Sequence, residues 1–408
     1  MPSKWNNDYL DKMRKVGDQE ADKIVEDLIA SKQLESSNHL MDTLVRSDMQ
    51  PSSKLPRELI DYLNTSGTVS DEDLKVIKKG QRLFSRHGHL ILLVLVCGSL
   101  PTSYAARKGV KVLKGTRRLQ NKPNRRLWET AQMVVNVMGP GGLSPQGRGV
   151  RTAQKVRLMH AAIRHVVLSE SDPAWDIDAL GRPVNQEDMA GTLQLFSTFV
   201  IDGLERLGVW IDSEEKIGYF RAWQVVGRIM GVCPDLIPAT PEEAAGLNAL
   251  IWERQQGASQ DGRDMLAALL GFLKKDSPWP TKWAPGATIR YLLPPGAADM
   301  IGVPKHRVGR LAVGLVAKIN RLLNKLLGPS LLSSMFFSRL GLRVVKWLIK
   351  VDRGGERAQF HIPSHLRTYW GAPSAAEEKT FWQRWLDQML NVRSALMRVM
   401  SSYTTSSH

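Results

Sequence analysis

Val156-Arg157-Leu158-Met159-His160-Ala161-Ala162-Ile163-Arg164-His165 reads as one helix, free of Pro and Gly. At 3.6 residues per turn, Val156 (i−4), Ile163 (i+3) and Val167 (i+7) share a face with His160, which therefore sits in an apolar stripe. Arg157 (i−3) and Arg164 (i+4) flank that face. Gly147 and Gly149 precede the helix and Asp172-Pro173 follows it. Outward from it, Leu74 to Ser169 carries nineteen Lys and Arg and a single carboxylate, Glu129.

Glu129 belongs to a second helix, opened by Pro123 and Asn124 and closed by the turn Gly139-Pro140-Gly141-Gly142. Arg126 and Thr130 are i, i+4 on one face, with Glu129 bordering it among Leu127, Met133, Val134 and Val137. Two readings fit each cluster. His160 is either a core histidine bonded to a carbonyl or an imidazole kept neutral to bind a metal. Arg126 and Glu129 are either a surface ion pair or part of a site. Cations that could neutralise an anionic ligand surround the lone imidazole, and together they read as a haem pocket.

The rest of the chain is predicted to be all-α. Gln19 to Lys32 reads as a polar helix. Ser70 caps a helix with Asp71, Glu72 and Asp73 in its first turn, expected to stop near Gly88. Leu90 to Cys97 reads as a buried helix or strand, ended by Gly98 and Pro101. Asn185 caps a helix expected to continue to Leu207, with Gly208 as its stop. Tyr219 to Met230 is another helix, with Trp223, Gly227 and Gly231 at i, i+4, i+8. Ala244 to Leu273 is helical with a break near Gly257, and 276–304 reads as a loop. The expected organisation is an N-terminal helical extension (1–69), a core (70–303) and C-terminal basic amphipathic helices packed on it (304–408).

Composition narrows the classes. Apolar content of 43% and charged content of 24% are ordinary for a globular chain. Two cysteines, with no CxxC or CxxCH spacing, argue against a disulfide framework, structural zinc and covalently attached haem. The N-terminus lacks the apolar core of an export signal, and the longest apolar run, Leu90 to Cys97, is far below a membrane span. These features predict a cytoplasmic chain, with peripheral membrane contact an option. A net charge of +16 predicts attraction to an anionic partner. No nucleic-acid-binding module is recognisable.

Arg126 with Thr130, the Gly-Pro-Gly-Gly turn, the Val156 to Ala161 core, Asn185-Gln186-Glu187-Asp188, Trp223-xxx-Gly227-xxx-Gly231 and Pro363 with Trp370-Gly371 agree in order and spacing with one family. Over roughly residues 70 to 375 the chain resembles the rubber oxygenase catalytic family. That family includes the latex-clearing proteins and the endoplasmic-reticulum-bound oxygenase of mycophenolic acid synthesis. The resemblance implies an all-helical fold with a globin-like core around non-covalent haem b, His160 as its axial ligand, and Arg126 and Thr130 on the distal side. Trp223 and Gly227 would pack against the macrocycle. The implied reaction is oxidative cleavage of a carbon–carbon double bond by O2 in a hydrophobic substrate such as a polyprenyl chain.

Two positions depart from the latex-clearing pattern. Glu129 stands where those proteins have Lys, and Val110 where they have an upstream Glu. Glu129 is then the acid left on this stretch to move protons, unless it stays paired with Arg126. The alternative implied is a haem-binding protein of the same fold with altered or lost cleavage activity.

Arg148, Arg151, Arg157 and Arg164 are candidates to neutralise haem propionates, against the reading of a solvated basic face. Further on, Lys318, Arg321 and Lys325 recur opposite Leu315, Ile319, Leu322 and Leu326. Arg339, Arg343, Lys346 and Lys350 repeat the spacing beside Trp347. That pattern suits either a helix lying on anionic lipid or a packed hairpin with a basic outer face. His87-Gly88-His89 and His361/His365 lack further ligands and do not read as zinc sites.

Overall fold

The computed structural model describes residues 4–33, 55–65, 67–115, 123–171, 174–275 and 281–327. Expectations for Leu331–Lys350, His361/His365, Pro363/Trp370-Gly371 and the last element, Ala375–Met400, lie outside the described residues. Helices carry the fold, and no strand occurs among the described residues apart from an isolated bridge between Ala106 and Gln256. In chain order they are α1 (Asn7–Arg14), α2 (Gln19–Ala30), α3 (Arg57–Thr65), α4 (Asp71–Val94), α5 (Leu100–Tyr104), α6 (Gly109–Gly115), α7 (Pro123–Met138), α8 (Arg148–Glu170) and α9 (Ile177–Leu180). There follow α10 (Gln186–Phe196), α11 (Thr198–Arg206), α12 (Ser213–Ile229), α13 (Pro241–Gln255), α14 (Gln260–Lys275), α15 (Ala284–Leu292), α16 (Ala297–Met300) and α17 (Arg307–Leu327).

Caps behave as local chemistry demands. Ser70 Oγ accepts from the Asp73 amide at 3.1 Å, and Asn185 Oδ1 from the Asp188 amide at 3.0 Å. The expected stop at Gly88 is instead a bend. His87 leaves helical geometry (φ −119, ψ 16) and the helix resumes to Val94. A π-turn, Leu95–Ser99, then carries it into α5, with Pro101 in the opening turn. The merged helix, Asp71–Tyr104, is long and apolar enough to cross a membrane by length and composition, but half of its apolar window is buried within the fold.

Glycine decides how closely α4 and α12 cross. A Cβ on Gly80 would stand 2.4 Å from the Tyr219 amide nitrogen, and one on Gly218 would stand 2.5 Å from the Gly80 nitrogen. The two backbones touch where neither residue has a side chain. Around this crossing lies the larger core, which takes in Phe84, Ile91, Val134, Val156, Tyr219 and Trp223. A smaller core is built from α2, α3 and α8 through Val25, Leu28, Leu59, Tyr62, Leu158, Ala161 and Ala162. The wall between them is α8, which is buried along most of its length although it carries Arg151, Gln154, Lys155, Arg157 and Arg164. The segment expected as an extension is thus packed on the core.

The structure corrects two smaller expectations. The helix begun at Asn185 breaks at Ser197 before α11, and Gly208 (φ +82) ends the second piece. The loop expected over 276–304 holds α15 and α16, because Pro285 sits in the first turn of α15, where a missing N–H costs nothing. The break near Gly257 falls between α13 and α14 as expected.

Candidate functional site

The site is built on the α7–α8 hairpin. Two glycines let its ends close on each other: a Cβ on Gly142 would stand 2.0 Å from the Asn136 carbonyl oxygen, and one on Gly149 would stand 2.7 Å from Val137 Cα. The Gly142 carbonyl accepts from the Gly149 and Val150 amides at 2.8 and 3.2 Å, satisfying amides that the start of α8 leaves without helical partners. Asn136 Nδ2 donates to Thr152 Oγ1 at 2.9 Å and fixes the register of the two helices. From that bond Thr130 lies about 9 Å back along α7 and His160 about 12 Å forward along α8, so they come within about one turn of the same level.

Burial distinguishes the residues of this hairpin. Along α8 every side chain from Gly149 to Leu158 is buried, and Met159 and His160 are the first partly open positions, followed by Ile163. On α7, Glu129 is buried, at 5% exposure, and Thr130 is partly open. The structure thus brings Glu129, Thr130 and His160 to one hairpin. The Arg126 side chain lies outside the described residues.

The arginines expected to serve anionic groups of a ligand have other partners. Arg157 donates from Nε and NH2 to both oxygens of Asp18, at 2.6 and 2.8 Å, and from NH2 to Glu20 at 2.7 Å. It also lies 5.6 Å from the Tyr62 ring centroid. Arg164 donates to Asp22 at 2.7 Å and to the Val184 carbonyl at 3.1 Å. Burial pushes the Asp22 carboxyl above its usual range even though Arg164 pulls the other way. Arg157 and Arg164 therefore hold α2 against α8, one turn on either side of His160, with their guanidinium groups engaged by Asp18, Glu20 and Asp22. Arg151, nine residues before His160 and so on the opposite side of α8, donates to the Leu63 carbonyl at 2.6 Å.

Trp223 is 1% exposed and packs on Phe196 at 4.9 Å and Tyr219 at 6.3 Å between ring centroids. The nearest neighbours of Gly227 are Leu193 and Ile237, with a built Cβ 2.7 Å from Leu193 Cδ2. Both residues thus seat α12 on α10. Gly231 (φ +75) abuts the Arg157–Asp18 pair.

Sequence reading missed a buried polar knot around Glu187, which is fully buried. Glu187 accepts from Arg14 (3.1 Å), Arg254 (2.8 Å) and Gln255 (3.1 Å). Gln186 donates to the Gly17 and Gly231 carbonyls, at 2.9 Å each, and accepts from the Cys233 amide at 2.7 Å. The Asn185-Gln186-Glu187-Asp188 motif thus ties α1, α10, the end of α12 and α13 together. Its signal in the sequence was two adjacent acids beyond a cap, which also suits a solvated first turn.

The described residues form an all-helical fold in which Glu129, Thr130 and His160 sit on two neighbouring helices. The family described as ER-bound oxygenase mpaB/B'/Rubber oxygenase, catalytic domain, matches residues 85–321, and the chain belongs to it. A relative, the rubber oxygenase of Streptomyces sp. (strain K30), is 26% identical over 299 residues, covering 72% of each chain. The solved structure of latex clearing protein LCP in the closed state matches with a TM-score of 0.70 at 24% identity, covering 86% of this chain and 94% of that one. That likeness shows the fold.

Proposed function

We propose that this chain is a haem b-dependent oxygenase that uses dioxygen to cleave a carbon–carbon double bond in a hydrophobic, isoprenoid or lipid-like substrate. The observation that carries the reading is His160, a partly open imidazole that with Met159 follows ten buried positions, Gly149 to Leu158, on α8. Such an opening in a core helix suits a ligand that approaches the imidazole.

The donor chemistry fits haem. Among the described residues no group of three or more His, Cys, Asp or Glu could hold a bare metal ion. An iron here would need to bring most of its own donors, as a porphyrin does, and take one axial nitrogen from the protein. When bound, haem would supply the iron centre at which dioxygen is activated.

The residues of the chain have separate tasks in this reading. His160 would hold the cofactor from the α8 side. The Thr130 hydroxyl and the Arg126 guanidinium would donate hydrogen bonds to the reacting oxygens, and the Glu129 carboxylate would take up and return a proton. An alkene and one dioxygen give two carbonyl products, so the overall reaction balances without an external reductant. The family relationship supports the oxygenase class, and the names of its members support a hydrophobic substrate.

The test is hemin titration of the purified chain, followed by oxygen uptake with polyprenyl substrates and trapping of carbonyl products. A Soret band that His160→Ala shifts or removes supports the reading. Full haem content with an unchanged Soret band in His160→Ala overturns it.

A further inference from the structure

The two long faces of α17 are unlike. Its inner face is tied down: Asn320 Nδ2 donates to the Leu207 carbonyl at 3.0 Å, and Arg321 NH2 donates to the Glu205 carbonyl at 3.2 Å. Gly208 lies so close beneath that a Cβ would stand 2.1 Å from the Ala317 carbonyl oxygen. The outer face carries Val308, Leu311, Leu315, Ile319 and Leu322, spaced i, i+3, i+7, i+11 and i+14 in a single stripe. These side chains are 72%, 74%, 59%, 48% and 55% exposed. Scattered apolar residues on a surface need no explanation, but an aligned stripe of five marks a contact.

Charge says what kind of contact. Arg307 and Lys318 are exposed beside the stripe. From Met300 to Val351 the sequence has ten Lys or Arg and no Asp or Glu. Pairing this face with its copy would set like-charged flanks against each other. A surface that is apolar within and anionic at its rim complements both features.

We propose that α17 docks on an anionic bilayer, lying in the plane of the interface with the stripe immersed and the flanking cations against lipid headgroups. At 21 residues the helix offers about 30 Å of contact. The inference rests on α17 alone and holds with or without a cofactor in the hairpin.

Flotation of the full chain with vesicles of phosphatidylcholine, alone or mixed with phosphatidylserine, tests it. Binding to the anionic vesicles should be about tenfold or more the stronger at low salt and should fall as salt rises. The double variant Leu311→Asp/Leu315→Asp should lose about tenfold in partitioning with an unchanged circular dichroism spectrum. A Leu315→Cys chain carrying a polarity-sensitive fluorophore keeps the rest of the stripe and should shift to the blue on anionic vesicles, whether or not the double variant folds. Equal or absent binding to the two vesicle types, or an unshifted fluorophore, overturns the proposal. So does a chain that sediments as a dimer and becomes monomeric in the double variant, because the stripe would then belong to a second copy.

Discussion

Arg157 and Asp18 face each other in a two-bond pair, Nε to Oδ2 at 2.6 Å and NH2 to Oδ1 at 2.8 Å, across 139 residues of sequence. Their side chains are 9% and 6% exposed. A guanidinium so placed cannot be left without its carboxylate cheaply, because removing one partner strands the other charge away from water. The pair fixes where α2 rests on α8, and with Arg164–Asp22 it brackets the turn that holds His160.

Asp18→Asn should therefore destabilise the fold by about 3 kcal/mol, the lower end for a broken buried pair, because Glu20 keeps one bond to Arg157. Glu20→Gln removes a carboxylate that is 56% exposed and should cost less than about 1 kcal/mol. Guanidinium unfolding midpoints of the two variants decide this. Equal effects would show that Asp18 is not the principal anchor.

The α4–α12 crossing gives a steric prediction with an internal control. Gly80→Ala places a methyl 2.4 Å from the Tyr219 amide nitrogen, and a backbone atom cannot turn aside as a side chain can. The helices must part, at a cost of about 2 to 3 kcal/mol. Gly246, exposed within α13, meets nothing within 4 Å. Gly246→Ala should stabilise by about 1 kcal/mol through helix propensity alone. Thermal unfolding of both variants should give shifts of opposite sign.

What the sequence disclosed follows from the range of each interaction. Ser70 and Asn185 were legible as caps because the amides they satisfy lie three residues away. The α7–α8 hairpin was legible because its glycines and apolar faces are local too. Asp18 and Asp22 were hidden as partners of Arg157 and Arg164, since spacing along α8 says nothing about an acid some 140 residues earlier. Those arginines therefore looked available to a ligand. His87-Gly88 carried the marks of a helix end, yet the chain only bends there and continues to Val94.

His87 gives the pH prediction. Burial, reinforced by the charge of Arg86, holds its imidazole down at about 4, against about 6.5 in an unfolded chain. The folded state therefore binds fewer protons than the unfolded state between those values. Stability from this group is complete above about 6.5 and is lost as pH falls through about 4. Asp22 and Glu215 are shifted upward by burial and act in the opposite direction on acidification. The useful quantity is thus the difference between wild type and His87→Asn. The variant should gain on wild type as pH falls from about 6.5 to 4, read from denaturant midpoints across that window. A difference that does not change with pH would show that the imidazole is not held neutral.

Glu129 gives the prediction closest to chemistry. It is the sole carboxylate between Leu74 and Ser169, is buried at 5% exposure, and adjoins Thr130 on the helix facing α8. A positioned acid or base contributes about 100-fold or more to a rate limited by proton transfer. Glu129→Gln keeps the shape of the side chain and removes its proton chemistry. With a hydrophobic alkene substrate, the variant should take up oxygen about 100-fold more slowly at saturation, with hemin binding and the unfolding midpoint close to wild type. Thr130→Ala should raise the apparent demand for oxygen and leave hemin binding unchanged, because it removes the proposed hydroxyl donor and leaves His160, the proposed haem ligand, in place. If Glu129→Gln turns over at the wild-type rate but unfolds at lower denaturant, the carboxylate is a structural partner within α7. The proton must then come from another group.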